Sequence, residues 1–426
     1  MQYSPHLPVV HIDVDTIVKN YRQLLRSSAP ALAAADDPVA TTPVLPQGFG
    51  AGDGNVFTWP SQMAVTKADA YGHGHIQVAA ALLAEGCTLF ASGSVQEAVE
   101  LRQGLEALSA EERRPSARPM IISLLGLVSR DDVYLCAEHG IVPVVHSFEQ
   151  LGMLKGTERA LPVALKCNTG MSRLGFNEDE VAALTEYLPR VPGVTPVILL
   201  SHLHSADTEQ GRAQVAAQAA VYSRILGALR AQWPKLAASL GNSAGTLLAE
   251  DIACHIGPHV CRPGVALYGS NPFAGTSLAP LGQGLAPAMC VQTPIIAVRD
   301  LAPGAGVGYG HTFVAKDAMP IGIMAAGYAD CFSRGLSNKG EVCVDGARAP
   351  IVGRVSMQMT AVDLSALPEM NGKTGRPRPV TAWVLGGPHD NAVTPEELAK
   401  AWDTITYEVF CLLGYNTRVY GPHPAA

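Results

Sequence analysis

The chain has 426 residues, 48% of them hydrophobic and only 16% charged, with a formal net charge of −7. Disordered chains combine high charge with few apolar groups, so that class is excluded, and without basic blocks a nucleic-acid surface is disfavoured. No apolar run approaches the ~18 residues of a membrane span, the first ten residues lack the order of a secretory signal, and nine cysteines without CxxC pairs suit free thiols in a reducing cytoplasm.

Val9–Val14 reads as a strand, followed by a helix over Asp15–Leu25 with Asp15 or Thr16 as its cap. Ser27–Pro60 is rich in Ala, Pro and Gly and lacks periodicity, which suits a surface insertion or loop. Then strands and helices alternate. Strands are expected at Met63–Lys67, Leu89–Ser92, Met120–Leu124, Val142–Val145, Val163–Lys166 and Val197–Ser201. Helices are expected at Ile76–Glu85, Val95–Gln103 and Gln210–Gln232, with a loop over Ala68–Gly74. The strands are apolar throughout, as when both faces are buried. Seven or eight such units favour a closed (β/α)8 barrel over an open doubly wound sheet.

Ser270–Gln283 is rich in Gly, Pro and Ser and reads as a linker. Short β-branched runs follow at Val291–Val298, Met319–Met324, Glu341–Val344, Ile351–Val355 and Val380–Leu385, predicting a small β-domain. Thr394-Pro395-Glu396-Glu397 supplies a cap, a proline at the first helical position and a capping-box Glu for one late helix. The expected division is a barrel over 11–275, interrupted at about 27–60, and a β-domain over 276–426.

Lys67 closes an apolar strand in Ala64-Val65-Thr66-Lys67, and so belongs at the C-terminal mouth of a barrel, where active sites gather. Partial desolvation there makes an amine a Schiff-base nucleophile; by position alone it also reads as a surface lysine. The loop through Tyr71, Gly72 and Gly74 lets hydroxyl and backbone groups approach an anion. Lys166-Cys167-Asn168-Thr169-Gly170-Met171-Ser172-Arg173 ends another strand, and Arg173 offers a two-pronged carboxylate clamp or a plain loop arginine. His202 and His204 read as a metal pair lacking a clear third ligand, as a stacking histidine, or as structural residues. Ser243 and the backbone at Gly264 are small donors of the kind that hold phosphate. In the second domain Tyr309 stands between glycines, either an acid/base group or a turn tyrosine, and Tyr328 and Met357 lie in similar glycine-bounded segments. No Walker loop and no dinucleotide fingerprint is present.

These pieces, in this order from Val9 to Tyr420, resemble the alanine racemase family of fold type III pyridoxal-phosphate enzymes. The resemblance implies a TIM-like barrel with a C-terminal β-domain, acting as a head-to-tail homodimer on a small amino acid, with D-alanine supplied to peptidoglycan. Lys67 would bind the cofactor as an imine. Tyr71, Ser243, Gly264, Val265 and Tyr407 would hold its phosphate, His202 would pack on its ring, and Arg262 would face the ring nitrogen. Arg173 would take the substrate carboxylate, with Lys166, carbamylated in many members, as its buttress. The second subunit would supply Tyr309 as the opposite base, the Met357 amide for the carboxylate, and Tyr328 to narrow the entrance. Asn168 and Gln358 stand where the family usually has aspartate, which leaves room for a broader amino-acid or serine racemase. Amino-acid decarboxylation is disfavoured by the lack of a Cys-Asp motif. A non-catalytic pyridoxal-phosphate-binding protein is disfavoured by Tyr309 and the second domain.

Overall fold

The computed structural model describes residues 8–29, 49, 58–112, 118–157, 159–367 and 380–424. Seven parallel strands run in chain order through one sheet: Ala64–Val65, Leu89–Ser92, Met120–Ser123, Ile141–Val145, Leu161–Lys166, Val194–Leu200 and Ala237–Ser239. Their side chains are almost wholly buried, which is why the sequence shows apolar runs without polar alternation. Residues 259–263 close the ring. Val260 N donates to Ala238 O at 2.8 Å, Met63 N to Cys261 O at 2.8 Å, and Val65 N to Pro263 O at 3.1 Å. The architecture is the expected TIM-like barrel with a separate, mainly antiparallel sheet.

Between the strands, local chemistry sets the helix ends. Ser129 and Asp132 form a reciprocal capping box at the start of Arg130–His139, and Gly140 ends that helix in the left-handed region at φ 66°. The first helix runs Val14–Ser28 and is capped by Asp13, not Asp15 or Thr16, because the Asp13 carboxylate accepts from Thr16 N. Most of the proposed insertion, at 30–48 and 50–57, lies outside the described residues. Phe49 and Trp59, near its end, are buried in the main core.

The opening strand, Val9–Ile12, was expected to begin the barrel. It pairs instead with Met289–Leu301 and Thr417–Tyr420 in the eight-stranded second sheet. Its His11 side chain bonds Gln292 and lies near Trp383, a polar setting that a barrel strand buried on both faces does not offer. The strand expected at Ile351–Val355 is also absent: Gly353 turns the chain at φ 78°, and pairing is made by Ala347–Pro350 just before it. Ser270–Gln283 is less free than a linker. Phe273 is fully buried, and the Ser270 hydroxyl bonds Glu396 and Thr406 of the C-terminal region. The late helix, Pro395–Trp402, has the capping box its sequence predicts. Among the described residues, no helix is long and apolar enough to cross a membrane.

Two interior histidines carry a stability consequence. Burial pushes His73 and His259 down from 6.5 to about 4. Between those values the unfolded chain holds more protons than the folded one, so stability should fall as pH drops from about 6.5 to about 4. The expected loss is on the order of 3 kcal/mol per histidine. Urea unfolding at pH 7 and pH 4.5 measures it, and a His259→Asn variant should show a flatter slope. An unchanged slope would contradict the assignment.

Candidate active site

Five barrel segments place their ends at one mouth. Lys67 follows the first barrel strand, Lys166 ends the fifth, His202 follows the sixth, Ser243 follows the seventh, and Arg262 sits in the closing segment. A cavity there is lined by Lys166, Asn168, Arg173, Ser201 and His202 among others. Burial lowers the Lys67 ammonium from its ordinary value, and the cations Arg173 and Arg262 lower it further. Lys166 is pushed down to about 8, first by burial and then by Arg262, Arg173 and Lys67. The same group of cations, after burial, holds His202 well below 6.5, so its ring is neutral. The mouth is therefore a cation-rich place that favours a free amine and attracts an anion.

Arg262 is buried and locked. Its guanidinium donates to Ser239 Oγ at 2.6 Å and to the Ser201 carbonyl. Burial lowers it to about 10, which leaves it protonated at neutral pH. Ser243 Oγ accepts from Gly264 N at 2.8 Å and from Ala266 N at 3.3 Å. A Cβ added at Gly264 would collide with the Tyr71 hydroxyl, so glycine is what lets that hydroxyl stand against the backbone there. The Tyr71 ring lies 5.8 Å from that of Tyr407, and Lys67 Nζ stands 5.9 Å from the Tyr71 ring centroid. Hydroxyls of Tyr71, Ser243 and Tyr407 beside backbone at Gly264 and Val265 are a donor set that fits a phosphate. An amine a short way off fits the carbonyl of a phosphorylated aldehyde.

The backbone that carries Lys67 is unusual. Ala68, Asp69, Ala70 and Tyr71 all lie in the left-handed region, with φ of 52° to 55°. For residues with a Cβ this costs on the order of 1–2 kcal/mol each, so contacts from outside must hold the turn. Asp69 Oδ1 accepts from His75 N at 2.7 Å and its other oxygen from Arg418. Glu97 accepts from Asp69 N at 2.8 Å and Gly93 N at 2.6 Å. His73 Nδ1 donates to the carbonyls of Ala70 and Tyr71, and its ring stacks on Tyr268. Sequence reasoning missed Asp69, His73, Glu97 and Arg418, since nothing local in Ala-Asp-Ala-Tyr signals a left-handed run.

Asn168 has a different role from the relaxed selectivity its identity suggests. Its side chain accepts from Gly170 N at 3.1 Å and Ser172 N at 2.9 Å and donates to Asn177. It thus caps the loop that bears Arg173, a task that needs an acceptor and not a charge. His202 and His204 do not converge: His204 turns to Ser205 at the surface, and among the described residues no cluster of three metal-binding side chains occurs.

Tyr309, Tyr328 and Met357 are not brought to the mouth of their own barrel. They are 69%, 45% and 57% exposed, on short turns and a loop outside the strands of the second sheet. They are close to one another, however. Gly308 lies against the Arg354 backbone, and Tyr328 N donates to Ser356 O at 3.0 Å, so one loop over 353–359 supports all three.

The chain matches the profiles described as alanine racemase, N-terminal domain, over residues 58–272, and alanine racemase, C-terminal domain, over residues 288–420. Over 366 residues it is 44% identical to an alanine racemase of Nitratidesulfovibrio vulgaris strain Miyazaki F, covering 85% of this chain and 92% of that one. An alanine racemase of Lawsonia intracellularis is 39% identical over 84% of this chain and 90% of its own. Among solved structures, the biosynthetic alanine racemase of Pseudomonas aeruginosa superposes with a TM-score of 0.75 at 30% identity, covering 98% and 99% of the two chains. That of Bartonella henselae, solved with covalently bound pyridoxal phosphate, gives 0.75 at 28% identity over 98% and 100%.

Proposed function

The chain belongs to the alanine racemase family, and we propose that it interconverts L-alanine and D-alanine with pyridoxal 5'-phosphate at the barrel mouth. The observation that carries this reading is a lysine whose ammonium is disfavoured beside the hydroxyl and backbone groups gathered at Tyr71, Ser243 and Gly264. The bound cofactor supplies an electron sink for the pair left at Cα when its proton departs.

The chain's own residues do the rest. Lys67 anchors the cofactor through its amine and then exchanges a proton with one face of Cα. Tyr71, Ser243, Tyr407 and the amides at Gly264 and Val265 hold the phosphate. His202, neutral, would pack against the ring. Arg262, which stays protonated, would stand at the ring nitrogen, where it could donate a hydrogen bond but not accept one from a protonated nitrogen. Arg173 holds the substrate carboxylate, and Lys166 stands behind it. The opposite face of Cα needs a second base that this chain's own mouth does not supply. Tyr309 of the partner subunit fills that role in a head-to-tail homodimer, with the Met357 amide of the partner subunit on the carboxylate and Tyr328 of the partner subunit at the entrance. The exposure of all three on one face supports this assembly. D-Alanine so made would supply peptidoglycan synthesis in the cytoplasm.

Gln358, exposed beside Met357, favours a second reading in which the entrance admits serine as well. A panel of L-alanine, L-serine and L-lysine with the holoenzyme separates the two. Enantiomers have equal free energy, so optical rotation should decay to zero with L-alanine. A much slower decay with serine supports strict selectivity, equal decay supports the broader enzyme, and a visible imine band with no decay for any of the three would refute racemisation.

A further inference from the structure

The four left-handed residues after Lys67 are held from the far end of the sequence. Arg418 lies in the last strand, Thr417–Tyr420, which pairs with Val9–Ile12 in the second sheet. One nitrogen of its guanidinium donates to the Asp69 carboxylate and also reaches the Gly72 carbonyl at 3.3 Å. It therefore ties the second residue of the turn to its end. The same region closes over the turn in two more places. A Cβ at Gly72 would meet the Phe410 carbonyl and Gly414, and a Cβ at Gly74 would meet the Tyr420 hydroxyl.

We infer that Asp69 and Arg418 are a positioning pair that sets the aim of the Lys67 amine, so that the C-terminal sheet governs the geometry of the barrel-mouth lysine. The inference rests on the reading of Lys67 as the cofactor-bearing amine. Ala-Asp-Ala-Tyr prefers right-handed backbone. Released from Arg418, the turn would relax toward it and rotate the Cα–Cβ bond of Lys67, the residue just before it. Glu97 grips the near side, through Asp69 N and Gly93 N, but reaches nothing beyond Asp69 in the turn. Arg418 adds a side-chain tie from Asp69 to Gly72, beside the bonds that Gly74 N and His75 N make back to Asp69. Lysine at 418 would keep a charged donor for Asp69 but lose the rigid planar group that fixes where that nitrogen stands.

The test uses the full-length holoenzyme and the variants Arg418→Ala, Arg418→Lys, Asp69→Asn and the Asp69→Asn/Arg418→Ala pair. Arg224→Ala, which breaks a surface bond to Glu178, is the control and should leave turnover unchanged. Three readouts are taken well below the melting temperature: kcat and KM for L-alanine, and the visible imine band. Arg418→Ala should lower kcat about 10- to 100-fold, as small misplacements of reacting groups do, while KM stays within about threefold. The band should weaken or shift, Arg418→Lys should recover part of kcat, and the double variant should be no worse than the worse single. Variants that melt earlier yet keep kcat and band would overturn the inference, as would additive effects. Should the wild type show the band but racemise nothing, the proposed function falls, and the band alone decides the role of the pair.

Discussion

Replacing Lys67 with alanine is expected to lower racemisation in both directions by on the order of 10⁴-fold or more, because in the proposed mechanism one amine serves both as anchor and as base. Borohydride should no longer fix cofactor to the peptide containing residue 67. Stability should not suffer to match. The Lys67 ammonium is disfavoured by burial and by Arg173 and Arg262, so removing it relieves a cost the fold already bears. A melting temperature equal to or above that of the wild type, with activity lost, is the expected pair of results. The wild-type amine, lowered from its ordinary value, should also become reactive below the usual lysine range of ~10.4. Since the shift is downward, the reactive free base gains as pH rises through that lowered value. Activity of Lys67→Ala within tenfold of wild type would exclude Lys67 as the base.

Much of this arrangement can be read from residues in order. The barrel strands announce themselves because both faces are buried, so Leu89–Ser92 is apolar up to its last residue and Ile141–Val145 throughout. The late helix declares its start through Thr394, Pro395 and Glu397. What resists reading is pairing at long range. Val9–Ile12 looks like any short apolar strand, and its partners lie near residues 290 and 418. The closing segment at 259–263 has no strand-like run, and it makes its bonds to Ser61, Met63 and Ala238 as a short piece of chain between bends at Pro258 and Gly264. The Lys67 turn is the sharpest case. Its residues have ordinary propensities, and only Gly72 and Gly74 hint at positive φ, so the left-handed run follows from Arg418, Glu97 and His73 closing on it.

Tyr309→Phe should lower kcat by about 10²- to 10⁴-fold, the usual worth of one positioned acid/base group, with KM little changed. Both directions must lose equally in kcat/KM, because the equilibrium between enantiomers is fixed by symmetry. The surviving base gives a sharper signature. With Lys67 intact, one enantiomer should still exchange its Cα hydrogen with deuterated water while failing to invert. Subunit mixing then asks where the phenol comes from. Tyr309 is exposed on a short turn after Gly308 and is not among the residues that line the cavity at the barrel mouth. If each site draws Lys67 from one copy and Tyr309 from the other, a mixed dimer of Lys67→Ala and Tyr309→Phe chains holds one doubly defective site and one intact site. Random reassociation at equal amounts makes about half the dimers mixed, so activity should return to about one quarter of wild type. If both groups came from the same chain, no mixed dimer would hold an intact site and mixing would restore nothing. Recovery near the expected level requires the shared site, and its absence in a preparation proven to exchange subunits would rule it out.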